Sequence, residues 1–364
     1  MPLVPKHIQN LSPYVAGKRI SEIRDKLGLS DVVKLASNEN PLGPSNLAVN
    51  SIKANLDALH RYPDSSGINL RTKLAEIYDV KVSNVILGSG SEGIMSTIMR
   101  TFLRSDDEII AAKNSFIGFK VLANASGKNV VWVPMKNYKY DLKSMSESIN
   151  DYTKIIYLAN PDNPTGTCFN KEEFDRFMSR VPMRVLVILD EAYFEYAEYN
   201  NDYPNSMLYR YDNVITLRTF SKAYALAGLR VGYGFAHDSL ISNLLKVKLP
   251  FEPSVVGQAA ALSSLSDADY IKKTVKMNHD GMKRMESILN RFKIDYIPSH
   301  ANFITAKFNN SQSANFFYKS LLEAGVITRN LSSFGLDNCV RITIGLETEI
   351  FKFEEEVCKI YQEV

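Results

Sequence analysis

Cysteine is scarce in this chain. Cys168, Cys339 and Cys358 are the only three in 364 residues, an odd number without CxxC spacing. A disulfide framework is therefore excluded as the basis of the fold, and the thiols are expected to be reduced. The five histidines, at positions 7, 60, 237, 279 and 300, lack metal-ligand spacing, so no metal centre is expected. No stretch reaches the roughly 18 apolar residues of a membrane helix, and prolines and a lysine interrupt the N-terminus where a signal peptide needs an unbroken apolar core. Neither sign of charge dominates: 43 lysines and arginines against 40 acids leave +3, with no block of like charge to suggest a nucleic-acid surface. Internal repeats and low-complexity tracts are absent as well. The expectation is a soluble, cytoplasmic, unprocessed protein.

What is present is length and alternation. At about 150 residues per domain, the chain is long enough for two domains with substantial cores. Short apolar runs at Val85–Leu87, Glu108–Ala111, Asn129–Val133, Lys154–Ala159, Arg184–Leu189 and Val214–Leu217 alternate with helix-length segments. That pattern predicts an α/β domain built on a mainly parallel sheet covered on both faces. Beyond Pro250 and Pro253 the pattern changes to a long helix over Ala268–Phe292, followed by short strands at 302–308, 326–328 and 340–344, which suggests a smaller α+β domain. The division expected is an arm at 1–44, a large domain at 45–248 and a small domain at 249–364. The arm has too little apolar periodicity for a core of its own, and is expected to pack on the small domain and on a partner subunit.

Four segments carry chemistry. Gly88-Ser-Gly90-Ser-Glu-Gly93 follows a strand and opens a helix, which fits a dinucleotide fingerprint, but the next strand ends in Lys113-Asn114 rather than in the acid that would hold a ribose. What remains is a tight turn whose N–H groups can hold a phosphate, or simply a strand-to-helix turn. Asn160-Pro-Asp-Asn163-Pro-Thr-Gly166 specifies a rigid turn. Val185-Leu-Val-Ile-Leu-Asp190-Glu-Ala-Tyr193 places an acid at the end of an apolar strand, where ligands of parallel sheets sit and where surface acids are also common. In Thr219-Phe-Ser221-Lys222, followed by Arg230 in a glycine-rich apolar stretch, two cations stand in a setting that requires a reason.

Taken in order, these segments resemble the fold type I pyridoxal-phosphate aminotransferases, and within them the histidinol-phosphate aminotransferases. The resemblance extends from Val4-Pro-Lys and Pro13-Tyr14-Val-Ala-Gly-Lys18 through Ser37-Asn38-Glu39-Asn40-Pro41, Arg61-Tyr62-Pro63-Asp64, Asn163-Pro-Thr-Gly166, Asp190-Glu-Ala-Tyr193 and Ser221-Lys222 to Arg341-Ile-Thr. It implies an aspartate aminotransferase-like fold, with a mainly parallel seven-stranded sheet between helices and a smaller α+β domain. It also implies pyridoxal 5'-phosphate as cofactor, with Lys222 forming the Schiff base and moving the proton, Asp190 at the ring nitrogen, and Asn163 and Tyr193 at the phenolic oxygen. Phe116 would stack on the ring. Gly90, Ser91, Glu92, Ser221 and Arg230 would surround the phosphate, joined by Tyr62 from the other subunit of a homodimer. Arg341, Arg329, Tyr14 and Asn38 would bind substrate.

The activity implied is ping-pong transamination between histidinol phosphate and 2-oxoglutarate in histidine biosynthesis. An aromatic amino acid aminotransferase and a threonine-phosphate decarboxylase are the alternatives within the same chemistry. An NAD-dependent oxidoreductase and a homologue without catalysis stand outside it. Two features depart from the family pattern: Ser91 stands where relatives have aspartate, and Lys113-Asn114-Ser115 replaces a proline-rich lead into Phe116.

Overall fold

A computed structural model describes residues 3–13, 17–208 and 211–362. Its strands in chain order are β1 (Val33–Lys34), β2 (Val85–Ser89), β3 (Glu108–Ala112), β4 (Asn129–Val133), β5 (Thr153–Ala159), β6 (Leu186–Asp190), β7 (Val214–Thr219), β8 (Val231–Phe235), β9 (Asp295–Ile297), β10 (Phe303–Lys307), β11 (Val326–Ile327), β12 (Arg329–Asn330) and β13 (Cys339–Thr343). Seven of them form one sheet in the order β2-β8-β7-β6-β5-β3-β4. All its pairs are parallel except those of β8, which runs antiparallel to both β2 and β7.

Alternation within strands explains the two covered faces. On one face Ile155, Tyr157, Ala159, Leu186 and Ile188 pack under the helices Gly90–Phe102, Ile117–Ala125 and Asp238–Val247. On the other, Ile156, Leu158, Val187 and Leu189 meet Leu142, Met145, Phe174 and Phe177 from two shorter helices. Both sets are apolar, as a doubly covered parallel sheet requires. The helix Lys171–Met178 starts in a reciprocal cap, in which Asn170 accepts from the Glu173 N–H and Glu173 accepts from the Asn170 N–H.

A second sheet, β12-β13-β10-β9, is antiparallel and is covered by Ala268–Arg291, Ser311–Glu323 and Glu347–Gln362, whose Met285, Leu289, Phe317, Leu321, Phe353 and Val357 fill its core. The N-terminal segment enters this second core. β1 pairs in parallel with β11, and Val33 and Leu35 lie inside the same apolar cluster. The short helix Lys6–Gln9 is exposed, with the His7 ring lying against Gly127.

The boundary expected at 248–249 does not separate two cores. The helix Val255–Ser264 buries Ala260 and Ala261 against Ala48, Leu70 and Leu74, in the cluster that also holds β2 and β8. The prolines end one helix and precede the Ser254 cap of the next, which interrupts the chain without interrupting the packing. No helix among the described residues is long and apolar enough to cross a membrane, and all three cysteines are free.

Candidate active site

Ala159, Asp190 and Thr219 end three adjacent strands of the large sheet, and the turns that follow them converge with the start of the helix Gly90–Phe102. The carboxyl ends of parallel strands form such a crevice because each turn leaves the sheet on that side. A cleft of about 580 Å3 lies there, lined by Ser91, Glu92, Phe116, Asn163, Asp190, Tyr193, Ser221, Lys222 and Arg230 among others. A recess sharing Phe116, Asn163 and Lys222 continues to Asn38, Arg329 and Arg341. Residues 38 to 341 are thus drawn into one site from both sheets.

At one end of the cleft the geometry suits an anion. Gly90 has φ 73°, and the Ser89 side chain does not cap the helix, so the first N–H groups are left uncapped where Ser91 and Glu92 line the cleft. β8 passes so close that a side chain at Gly232 would collide with the Gly90–Ser91 peptide. Arg230, itself at φ 54°, donates to the Ser221 hydroxyl at 3.2 Å, and its guanidinium lies 3.7 Å from Glu92.

Asp190 sits at the other end. It is 5% exposed; Tyr157 donates to its Oδ2 at 2.9 Å, while its buried Oδ1 has no partner. Burial pushes its pKa up to about 7, against the Tyr157 and Ala192 hydrogen bonds that favour the carboxylate. Lys222 is half-buried, with its ammonium 5.6 Å from the Tyr193 ring centre. Burial and then the neighbouring Arg341 charge bring its pKa down to about 8. Tyr193 is pushed up to about 12 by burial and stays protonated; Asn38 donates to its oxygen at 2.8 Å, which leaves its proton to point elsewhere.

Asn38 therefore lines the recess, but its amide is committed inside the protein, to Tyr193 and to the Thr343 hydroxyl at 3.1 Å. Its φ of 55° is in the left-handed region, which asparagine tolerates better than most residues. Arg341 is 6% exposed; it donates to Asn163 Oδ1 and, at 2.8 Å, to the Ala36 carbonyl. Arg329 is its cross-strand neighbour, so two guanidinium groups border one recess. Tyr62 is not brought to this site: it is 79% exposed and stacks on Phe251 at 4.3 Å. Tyr14 lies outside the described residues. Among the described residues no cluster of histidine, cysteine or acid could hold a metal ion.

Three supports had no counterpart in the sequence reading. Asp162, fully buried, accepts from Ser115 at 2.6 Å and from the Thr165 hydroxyl at 2.9 Å, which braces the turn carrying Asn163. Its pKa rises to about 6 through burial. Arg218 and Glu191 form an ion pair at 2.7 Å, with 0% and 1% side-chain exposure, directly behind Asp190. Asn40 donates to the carbonyl of Ala223 at 2.9 Å and so fixes the backbone beside Lys222. A single asparagine before Pro41 carries no periodic signal; only the polar cluster Asn38-Glu39-Asn40 marks the segment in the sequence.

The model of the aminotransferase class I and II family matches residues 30–352. The chain belongs to that family. A relative from Psychrobacter arcticus, named histidinol-phosphate aminotransferase 1, is 42% identical over 95% of this chain and 92% of its own length. Among solved structures, histidinol-phosphate aminotransferase from Sinorhizobium meliloti, in complex with pyridoxal-5'-phosphate, superposes with TM-score 0.91 at 26% identity, covering 100% of this chain and 98% of that one. An aspartate aminotransferase variant from Thermus thermophilus superposes with TM-score 0.85 at 19% identity, covering 99% and 100%, a likeness of fold alone. The aminotransferase described here thus has the aspartate aminotransferase-like α/β architecture, and the cleft at the carboxyl ends of its strands is its candidate active site.

Proposed function

We propose that this aminotransferase uses pyridoxal 5'-phosphate to exchange an amino group between L-histidinol phosphate and 2-oxoglutarate, a step of L-histidine biosynthesis. The observation that carries the cofactor reading is the Asp190 Oδ1 atom, a buried carboxylate oxygen without a partner, in the same cleft as a half-buried lysine and an anion-binding helix terminus. A buried acceptor left unsatisfied is costly. A protonated ring nitrogen would supply the missing donor.

When bound, pyridoxal phosphate supplies an aldehyde carbon for amine exchange and a protonated ring that withdraws electrons from the substrate carbon. Asp190 would accept the ring N–H, and a cation beside it would draw its pKa back below about 7. Lys222, with its pKa near 8, is in part a neutral amine close to neutral pH, able to attack the aldehyde and later to carry a proton. Tyr193 and Asn163 would donate to the phenolic oxygen, Tyr193 through the proton that Asn38 leaves available. The N–H groups of Ser91 and Glu92, with Ser221 and Arg230, would hold the phosphate. Phe116 would cover the ring.

Arg341 and Arg329 give the recess the charge to take a carboxylate from one substrate and a phosphate from the other. Because both substrates use one site, the first product leaves before the second substrate enters. The names of relatives at about 40% identity support histidinol phosphate over the aromatic amino acids. A homodimer is part of the proposal: exposed Leu56, Leu59, Tyr62, Leu249 and Phe251 offer apolar surface for a second copy, where Tyr62 would reach the partner's phosphate. Three free cysteines suit a reducing cytoplasm. Comparing kcat/KM for histidinol phosphate, phenylalanine and tyrosine tests the substrate assignment. Histidinol phosphate is expected to lead, and an aromatic amino acid favoured by about tenfold or more would overturn it.

A further inference from the structure

We infer that Tyr157 is a positioning residue for Asp190, holding that carboxylate charged and turned so that Oδ1 meets the cofactor's ring nitrogen. The inference rests on the pyridoxal phosphate reading of the cleft.

The sequence makes Tyr157 conspicuous once its strand is placed. β5 otherwise carries Ile155, Ile156 and Leu158 through the middle of the molecule, and a phenol there needs a hydrogen-bond partner. The pleat turns Tyr157 to the same face as Ile155 and Ala159, and Asp190 pairs with Ala159 across the β5–β6 ladder. The ring is clamped on Phe119, with centroids 3.9 Å apart and planes 9° from parallel. Phe119 is itself 1% exposed in the helix that follows Phe116. A hydroxyl on so rigid a ring has one place to donate, and it meets Asp190 Oδ2 at 2.9 Å.

That bond divides the two oxygens. Oδ2 is satisfied from within the protein, and Oδ1, on a residue that lines the cleft, is buried with no partner. Other groups act on the same carboxylate. Glu92, from the helix Gly90–Phe102, disfavours the carboxylate charge; Lys222, from the turn after β7, favours it, as does the Ala192 backbone N–H. Tyr140 and Tyr193 are protonated phenols whose own pKa values burial raises. Among the side chains, the Tyr157 hydroxyl is the principal influence that opposes burial. Without it, both oxygens would lack a side-chain donor.

Tyr157→Phe removes the hydroxyl and keeps the ring stack. In the holoenzyme the acid limb of the kcat profile should move up by about one to two pH units, the scale of a lost charge-assisted hydrogen bond to a buried carboxylate. Cofactor should be lost on dialysis at low pH more readily than from wild type, with the difference closing as pH rises. KM for glutamate should stay within about twofold, because Arg329 and Arg341 are untouched. In an Asp190→Asn background the same substitution should add nothing, since Tyr157 acts through the carboxylate. A hydroxyl that only stabilises the core would lower stability and leave the pH limb in place. An unshifted limb in Tyr157→Phe, or an equal effect in the Asp190→Asn background, would overturn the inference while leaving the cofactor reading intact. A wild-type protein that takes up no pyridoxal phosphate would overturn both.

Discussion

Replacing Asn38 with glycine separates two roles for this residue, substrate contact and support of Tyr193. Glycine rather than alanine is the appropriate substitution, because position 38 has φ 55° and a new Cβ without the amide would add backbone strain. The amide makes two buried side-chain bonds, to the Tyr193 oxygen at 2.8 Å and with the Thr343 hydroxyl at 3.1 Å. At about 1 kcal/mol for each, the variant should lose about 2 kcal/mol of stability. Only the Tyr193 bond bears on the reaction. Its loss lets the phenol turn away from the cleft, and about 1 kcal/mol of misplaced hydrogen bonding corresponds to roughly a fivefold fall in kcat. Tyr193 remains protonated throughout the neutral range, so the pH profile should not move. Steady-state kinetics with both substrates, run beside urea unfolding, read these effects together. A KM raised about tenfold with kcat unchanged would instead make Asn38 a substrate contact and not a support of Tyr193.

Glu191→Ala should cost about 3–5 kcal/mol in urea unfolding, because it strands the buried Arg218 guanidinium; replacing both residues with apolar ones of similar volume should recover most of the loss. A single-variant loss below about 1 kcal/mol would show that the ion pair does not brace the end of β6. Arg341→Lys cannot reach both the Asn163 oxygen and the Ala36 carbonyl from one ammonium, so kcat/KM for glutamate should fall about 10- to 100-fold while the cofactor absorption of the resting enzyme is kept. Unchanged kinetics would remove Arg341 from the carboxylate site.

The large sheet was legible because each parallel strand is an apolar run of the right length between helical segments. β8 was not, although its glycine-rich segment stands out beside Arg230. Val231-Gly-Tyr-Gly-Phe235 alternates glycine with large residues because Gly232 passes the Gly90–Ser91 peptide and Gly234 lies against Leu217 and Ile86, and glycine weakens the strand signal. Lys222, Asp190, Tyr193, Asn163 and Arg230 stand out through the motifs that carry the family resemblance, and the structure brings all five to one cleft. Their supports do not stand out. Tyr157, Asp162 and Arg218 each sit in otherwise apolar or turn-like sequence, and their partners Asp190, Ser115 and Glu191 are between 27 and 47 residues away. Local periodicity carries no information about pairs formed across a sheet. Pro250 and Pro253 are uninformative about packing for a related reason: prolines punctuate the chain, whereas a core is defined by which apolar faces meet, and Ala260 shares a cluster with Leu70 and Leu74.

The central claim is that this cleft holds pyridoxal phosphate on Lys222. The most direct measurement is the absorption spectrum of the purified protein after supply of the cofactor and removal of the excess. The purified protein should be yellow, with a band that changes on adding glutamate, and the Lys222→Ala variant should lack that band. A wild-type protein that stays colourless, or a Lys222→Ala variant that keeps the same glutamate-responsive band, would contradict it.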